Sequence, residues 1–501
     1  MTAKKKNNLN NNHLQEQPKI SLCMIVKNEA RWLSRCLNSV KGLVNEMIIV
    51  DTGSTDETVK IAKGYGANVF HHPWNDNFSE SRNYALKHAA GDWILHLDAD
   101  EELVQEDIPL VKGIIKKKEL NGVYCLFYST QNASSGHSKF FLPRLFRNNI
   151  GICYRGRIHE TPVIPGNTSF SNIRIIHYGY SLDEVTMATK RKRNASILLE
   201  EVRKNPKDVA LHFYLAKNYY EQELYDLSLK EGEAVLTIFS NDNIAKKPEL
   251  EIFLIMAYSH YNKGNYQEAE RLCTQAIERK PNYIDPYFFL GHLYLMQDKY
   301  ASSIASFQRY FQIKDTLKKN PEFNHLVIYS FTKSHEAHAG LGTAFGKLGN
   351  YAASINQFKK AISICPQFAE AYNGLGVIHG YQGRLDNAVT YLKTALQIKP
   401  VYSEAYKNLG IVYAMQEKSS LAIEAFKKVI QINPDIAEIH NDLGVVLAKE
   451  GRFEHAIQSF KRAIEINPNY SRASNNLMLT YKKLHENSLA TPITEQSCLL
   501  Y

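Results

Sequence analysis

The sequence has no run of about 18 consecutive apolar residues, the length a membrane-spanning helix needs, so no transmembrane segment is expected. Residues 1–18, Met1 to Pro18, are rich in Lys, Asn and Gln but lack the apolar core of a secretory signal. They read as a disordered tail. The seven cysteines, Cys23, Cys36, Cys125, Cys153, Cys273, Cys365 and Cys498, are odd in number and contain no Cys-x-x-Cys pair. Most fall in apolar strand or helix patterns, where cysteine acts as a small buried hydrophobe. A reducing compartment is the simplest reading. The expectation is a cytoplasmic protein, with peripheral contact at the inner face of a membrane left open. Also missing is any dense patch of Lys and Arg with aromatics. The net charge of +9 over 501 residues suits a small anionic ligand, and no nucleic acid partner is expected.

What is present, 501 residues with 44% apolar, is globular in composition and too long for one ordinary core, so two or more domains are expected. From Ile20 to about Tyr180, strand-like and helix-like segments alternate. Ile20 to Val26, Met47 to Val50, Asn68 to His71 and Trp93 to Leu97 read as strands. Arg31 to Val40, Thr55 to Lys63 and Ser79 to Ala90 read as the helices between them. This βαβαβαβ order predicts an α/β domain with a Rossmann-like, mainly parallel sheet. Val123 to Tyr128, Lys139 to Phe146 and Ile173 to Tyr178 read as further strands of a less regular half.

From about Asp208 the chain becomes helical and repetitive. Pro366, Pro400, Pro434 and Pro468 stand 34 residues apart, and Gly342, Gly376, Gly410 and Gly444 keep the same period. Ala388, Ala422 and Ala456 recur at one position, and Phe358, Phe426 and Phe460 at another, where Leu392 replaces Phe. This is the period and pattern of tetratricopeptide repeats. Small residues let the two helices of a repeat approach, aromatics fill the space between repeats, and proline closes each unit. From Pro281 to Pro366 the spacing is 85 residues, 17 more than two periods, and the excess is placed near Lys314 to Ser330. Seven or eight repeats are expected within residues 208–486, ending in a capping helix near Ser471 to His485. Residues 186–207 read as a linker helix and 487–501 as a C-terminal tail. Such an array stacks into an all-α superhelix with a concave face that suits a protein or peptide partner.

The first half carries the chemistry. Trp93-Ile94-Leu95-His96-Leu97 runs out into Asp98-Ala99-Asp100-Glu101. A strand ending in Asp-x-Asp sets two carboxylates at its carboxyl end, the edge where open α/β sheets bind ligands. The two repel unless a divalent cation or other positive charge lies between them. A second acidic strand end comes earlier, Val50-Asp51-Thr52-Gly53-Ser54-Thr55-Asp56. Together with Ser21-Leu22-Cys23-Met24-Ile25-Val26-Lys27-Asn28-Glu29, in this order over roughly 160 residues, these stretches resemble family 2 glycosyltransferases of the GT-A fold. Asn77-Phe78-Ser79-Glu80-Ser81-Arg82-Asn83 and Pro143-Arg144-Leu145-Phe146-Arg147 narrow the resemblance. They are similar to the branch with lipopolysaccharide-core glucosyltransferases and the peptide S-glycosyltransferases of bacteriocin synthesis.

The resemblance implies a GT-A domain at residues 19–185 and a metal-dependent, inverting transfer from a UDP-sugar, with glucose or N-acetylglucosamine foremost. It implies that Asp51 accepts hydrogen bonds from uracil or ribose, with Thr52 where many members have a second Asp. Asp100 is the implied direct ligand of Mn²⁺ or Mg²⁺, and Asp98 contacts the ribose or a metal-bound water. Arg82 and Lys27 hold the donor. The general base is Glu160, in Arg155-Gly156-Arg157-Ile158-His159-Glu160, or else Glu101 beside the metal pair. His159 and His177 stand to orient the base or complete the metal shell. Asn408 and Asn476 share one repeat position and Asn373 and Asn441 the adjacent one. Asparagines near this place line the groove of some tetratricopeptide transferases that glycosylate proteins. A protein or peptide acceptor is therefore expected. The rivals are a lipid-linked or cell-surface glycan and a non-catalytic scaffold, and a homo-oligomer is left open.

Overall fold

The structure, a computed structural model, describes residues 17–129, 138–178, 184–241, 248–319 and 329–490. Most of the expected N-terminal tail lies outside them, as do Gly179, Tyr180, residues 320–328 of the repeat insertion and residues 491–501. Two compact units result. The first takes the chain up to Phe289 together with Gln312–Thr332, and the second takes Leu290–Phe311 and the chain from Lys333.

The first unit begins with an α/β domain. Its strands are β1 (Ile20–Val26), β2 (Glu46–Asp51), β3 (Asn68–His71), β4 (Trp93–His96), β5 (Glu101–Leu103), β6 (Gly122–Ser129), β7 (Ser138–Arg147), β8 (Cys153–Arg155), β9 (Thr161–Val163) and β10 (Thr168–His177). Eight of them form one sheet in the order β3-β2-β1-β4-β7-β6-β10-β5, while β8 and β9 pair separately. The first four are mutually parallel, as the alternation predicts. β7 runs antiparallel to β4 and β6, and β10 is parallel to β6 but antiparallel to β5. The whole sheet is therefore mixed. Helices α1 (Leu33–Ser39), α2 (Thr58–Gly64) and α3 (Phe78–Lys87) supply the crossovers, and α4 (Ile108–Ile114) follows β5. β5, β8 and β9 escape the sequence reading because each has only three residues, too few to show a period, and α4 is not read there either.

Alternation along β1 places Ile20, Leu22, Met24 and Val26 in one core with Leu33, Cys36, Leu37 and Val40 around α1. Cys23 joins Ile48, Val50, Ile94 and Ala85 of α3 on the opposite face. Gly91 allows β4 to enter beside β1, since a Cβ there would stand 2.8 Å from the Ser21 nitrogen. β2 and β3 lie to one side of β1 and β4 to the other. Strand order thus reverses between β1 and β4, and the crevice at their carboxyl ends is where such sheets bind ligands. Lys27 leaves β1 on one side of it, and Asp98 follows β4 on the other.

After β10 come α5 (Glu184–Lys204) and α6 (Val209–Glu221). α5 covers the segment expected as a linker and is part of a core. Its Ile197 and Leu198 are buried with Ile158 and with Leu215 of α6. Among the described residues, seven helix pairs run from α6 to Phe453–Ile466, and a last helix spans Ser471–Ala490. The 34-residue pattern has a steric basis. A Cβ at Gly410 would lie 2.6 Å from the Phe426 ring, and Gly444 faces Phe460 and Gly376 faces Leu392 in the same manner. Gly410→Ala is expected to cost roughly 1–3 kcal/mol through overpacking, read as a lower midpoint in urea unfolding.

The asparagines bridge successive repeats. Asn408 Nδ2 donates to Asn373 Oδ1 at 2.9 Å, and Asn476 Nδ2 to Asn441 Oδ1 at 2.8 Å. No helix among the described residues is long and apolar enough to cross a membrane. Six cysteines are free thiols, and Cys498 lies outside the described residues.

Candidate active site

α3 starts at Asn77, whose side chain accepts the Glu80 N–H at 3.2 Å. One turn further along, its buried face carries Arg82. All three guanidinium nitrogens of Arg82 are engaged. Nε donates to Glu160 Oε1 at 2.5 Å, Nη2 to Asp98 Oδ1 at 2.9 Å, and Nη1 meets His96. From β7, Arg144 Nη2 donates to Asp98 Oδ2 at 3.2 Å and to Glu101 Oε1 at 2.6 Å. Arg144 Nη1 and the Tyr154 hydroxyl lie 3.0 Å and 2.7 Å from His96 Nδ1.

Asp98 therefore sits between two guanidinium groups. Burial by itself would raise its pKa, but Arg82 and Arg144 hold it well below the usual carboxylate range. Burial and the same two arginines press His96 well below its ordinary value, which leaves the imidazole neutral. Glu101 is only 2% exposed at its side chain. Its Oε2 accepts the Asp98 N–H at 3.0 Å and its Oε1 accepts from Arg144, so both oxygens are engaged. Burial pushes Glu101 up to about 7 despite Arg144, and Asp98 adds to the rise.

Asp100 takes a different partner. Its Oδ2 lies 3.3 Å from His177 Nε2 at the end of β10. The antiparallel register of β10 with β5, which sets His177 opposite Glu101, brings the two together. Among the described residues, no three His, Cys, Asp or Glu side chains gather as they would around an ion. One carboxylate and one imidazole suit a divalent cation that takes its other ligands from diphosphate oxygens and water.

Across the crevice, Asp51 is buried at the end of β2. Its carboxylate accepts the Gly53 and Ser54 N–H groups at 3.3 Å and 3.1 Å and lies 3.2 Å from His71 Nδ1. Thr52, in place of a second acid, donates from Oγ1 to the Val26 carbonyl and ties β2 to β1. Lys27 is exposed just beyond β1. Glu29, two residues on, is pushed up to about 7 by burial and by the Asp100 charge.

The loop after β8 closes the other side. Its Arg157 pairs with Glu200 of α5 at 2.7 Å rather than with Glu160. His159 adopts φ +54°, a left-handed conformation that costs a non-glycine residue energy. Its ring stacks on Tyr214 of α6 at 4.0 Å and 11°. Burial, with Lys217 nearby, pushes the His159 pKa down to about 4. Glu160, Arg82, Asp98, Arg144, His177 and Tyr214 line one cleft of about 400 Å³. The expected residues Asp98, Glu101, Arg82, Glu160 and His177 thus meet in one place. Asp51 and Lys27 stand at the neighbouring strand ends. The sequence reading passed over Arg144, His96, Tyr154, Glu29 and Tyr214. Arg144 lay inside a quoted motif, and strand alternation put His96 on the α3 face. Tyr214 had no local signal, since it reaches the cleft only through helix packing.

Residues 21–172 match the glycosyl transferase family 2 model, and tetratricopeptide repeat models match 256–316, 342–383, 367–435 and 437–470. A TPR repeat-containing protein of Synechococcus elongatus is 38% identical over 203 residues, 38% of this chain and 50% of that protein. The SPbeta prophage-derived glycosyltransferase SunS of Bacillus subtilis is 28% identical over 290 residues, 56% of this chain and 63% of SunS. An uncharacterized glycosyltransferase of Rickettsia felis is 48% identical over 88 residues, 18% of this chain and 31% of that protein. The chain thus spans less than two thirds of the length of each of these curated relatives.

Proposed function

We propose that this chain, a family 2 glycosyl transferase domain followed by tetratricopeptide repeats, moves a sugar from a UDP-sugar to a protein or peptide. The observation that carries the reading is the cleft lined by Glu160, Asp98, Glu101 and His177, with Asp100 at 3.3 Å from His177. Glucose or N-acetylglucosamine is the expected sugar, and inversion the expected outcome.

The residues take the following roles. Asp51, held by the Gly53 and Ser54 N–H groups and beside His71, accepts a uracil N–H or a ribose hydroxyl on a remaining lone pair. Lys27 meets the diphosphate at the same edge. Asp100 and His177 hold Mn²⁺ or Mg²⁺, which when bound offsets charge on the departing diphosphate. Glu160 takes the proton of the acceptor hydroxyl or thiol as the acceptor bonds to the anomeric carbon and the bond to UDP breaks. Glu101 is disfavoured as the base because both its oxygens are already bound. Arg82 and Arg144 set the carboxylates in place, and Arg82 has no guanidinium nitrogen without a protein partner.

Calorimetric titration with UDP tests the donor site. Wild-type chain is expected to bind UDP only with Mn²⁺ present, and Asp100→Ala to lose at least about tenfold in affinity, near 1.4 kcal/mol. Equal binding by the variant would sink the metal assignment.

α6, in the segment read as the start of the repeats, brings Tyr214 to the cleft. Tyr214→Ala is expected to raise the acceptor KM by up to about tenfold, the loss of one aromatic contact to the acceptor worth about 0.5–1.5 kcal/mol, and to leave UDP affinity unchanged. Cutting the chain at residue 207 would remove Tyr214 along with the groove. The point variant is therefore the cleaner probe of acceptor binding.

A further inference from the structure

In six consecutive repeats, an acid stands six residues before the small residue of the first helix. The pairs are Glu251 and Ala257, Asp285 and Gly291, Glu336 and Gly342, Glu370 and Gly376, Glu404 and Gly410, and Glu438 and Gly444. An acid near a helix start favours the helix dipole, which alone would account for the residue type. It does not account for how the first two are used.

Asp285 is buried. Its Oδ2 accepts the backbone N–H of Tyr329 at 2.9 Å, and its Oδ1 accepts both the N–H of Ser330, at 2.8 Å, and the Ser330 hydroxyl. The Tyr329 hydroxyl meets Glu251 and lies 2.7 Å from Lys217 Nζ. Two neighbouring carboxylates of the row thus hold a Tyr-Ser dipeptide of the chain itself, through two backbone N–H groups and two hydroxyls.

In the second unit the same position faces a groove. Glu336, Glu370, Glu404 and Glu438 all line one groove of about 840 Å³, beside the aromatic rings of Phe368 and Tyr402. Lys399 and Lys407 lie 3.0 Å from Glu370 and Glu438, and Lys333 lies 3.6 Å from Glu336; each contact engages one carboxylate oxygen. Glu404 is exposed and has no cation partner among the described residues. A carboxylate is an acceptor with two oxygens. A row of them selects a ligand rich in donors and rejects an acidic one.

We propose that this carboxylate row binds the acceptor as a peptide segment rich in hydroxyl side chains. Each carboxylate takes a backbone N–H and a neighbouring hydroxyl, as Asp285 takes those of Ser330. The proposal rests on the protein-transferase reading and names the class of its substrate.

The test uses the full chain and a labelled peptide, Leu-Val-Ile-Tyr-Ser-Phe-Thr-Lys-Ser, which copies residues 326–334. Fluorescence anisotropy is expected to show saturable binding to wild type. The affinity should fall at least about tenfold with Glu370→Gln/Glu404→Gln and with a peptide in which Tyr is replaced by Phe and Ser and Thr by Ala. Thermal unfolding of the double variant should match wild type. Equal affinity for variant and wild type, or for both peptides, or no binding to wild type, overturns the proposal. UDP binding measured on the same samples separates the two readings. UDP binding without peptide binding removes the row alone, whereas peptide binding without UDP binding removes the transferase reading alone.

Discussion

Glu160→Gln lowers kcat for sugar transfer by about 10²–10⁴-fold, the usual contribution of a general base, and leaves UDP affinity as it was. The substitution keeps size and keeps an oxygen for the Arg82 Nε–H, which meets Oε1 at 2.5 Å. It removes the ability to take a proton, together with the negative charge that faces Arg82. The claim is specific to Glu160 because the other carboxylate at hand, Glu101, is buried with one oxygen on the Asp98 N–H and the other on Arg144. Taking a proton there would break an arrangement that positions Asp98. Steady-state transfer, followed with UDP calorimetry on the same preparation, checks it. Transfer within a few-fold of wild type would shift the base role to another group.

Arg82→Ala is expected to destabilise the first unit by roughly 3–5 kcal/mol, the cost of removing one partner from a buried charge cluster. Arg82 is the shared cation of Glu160 and Asp98 and also lies against His96. Without it, Glu160 loses the cation it is paired with and Asp98 keeps only Arg144. The readout is scanning calorimetry, where the transition of the α/β domain should fall by roughly 10 °C at 2–4 °C per kcal/mol. Arg82→Lys should recover only part of that loss, because one ammonium cannot replace three nitrogens in a planar fork. The resemblance alone implies a donor-holding role for Arg82, and this experiment discriminates the two. A donor ligand would lose UDP affinity in Arg82→Lys with little change in unfolding temperature. A buried organiser shows the reverse.

The βαβαβαβ succession was legible because buried parallel strands such as β1 and β4 read as apolar runs and the segments between them carry apolar stripes, whereas the order β3-β2-β1-β4 appears only in the structure. The repeats were legible because the glycines at 342, 376, 410 and 444 answer a contact with Phe358, Leu392, Phe426 and Phe460 that recurs every 34 residues. Such contacts are local, a dozen or more residues apart, so their demands are written directly into the chain. The acids of the Asp-x-Asp segment were legible as residue types, since their place after an apolar run already sets them at a sheet edge.

Their partners were not legible. Whether Asp98 faces a cation or arginines depends on α3 and β7, sixteen and forty-six residues away. Asp100 meets His177 only through the pairing of β5 with β10, and three residues of β5 show no period. Tyr214 reaches His159 because α5 and α6 pack on the α/β domain where a linker was expected. The sequence by itself determined the two kinds of architecture and the residue types at the sheet edge, since periodicity is a local property of burial. Only the tertiary structure decided which charges compensate which, since that depends on distances between segments far apart in the chain.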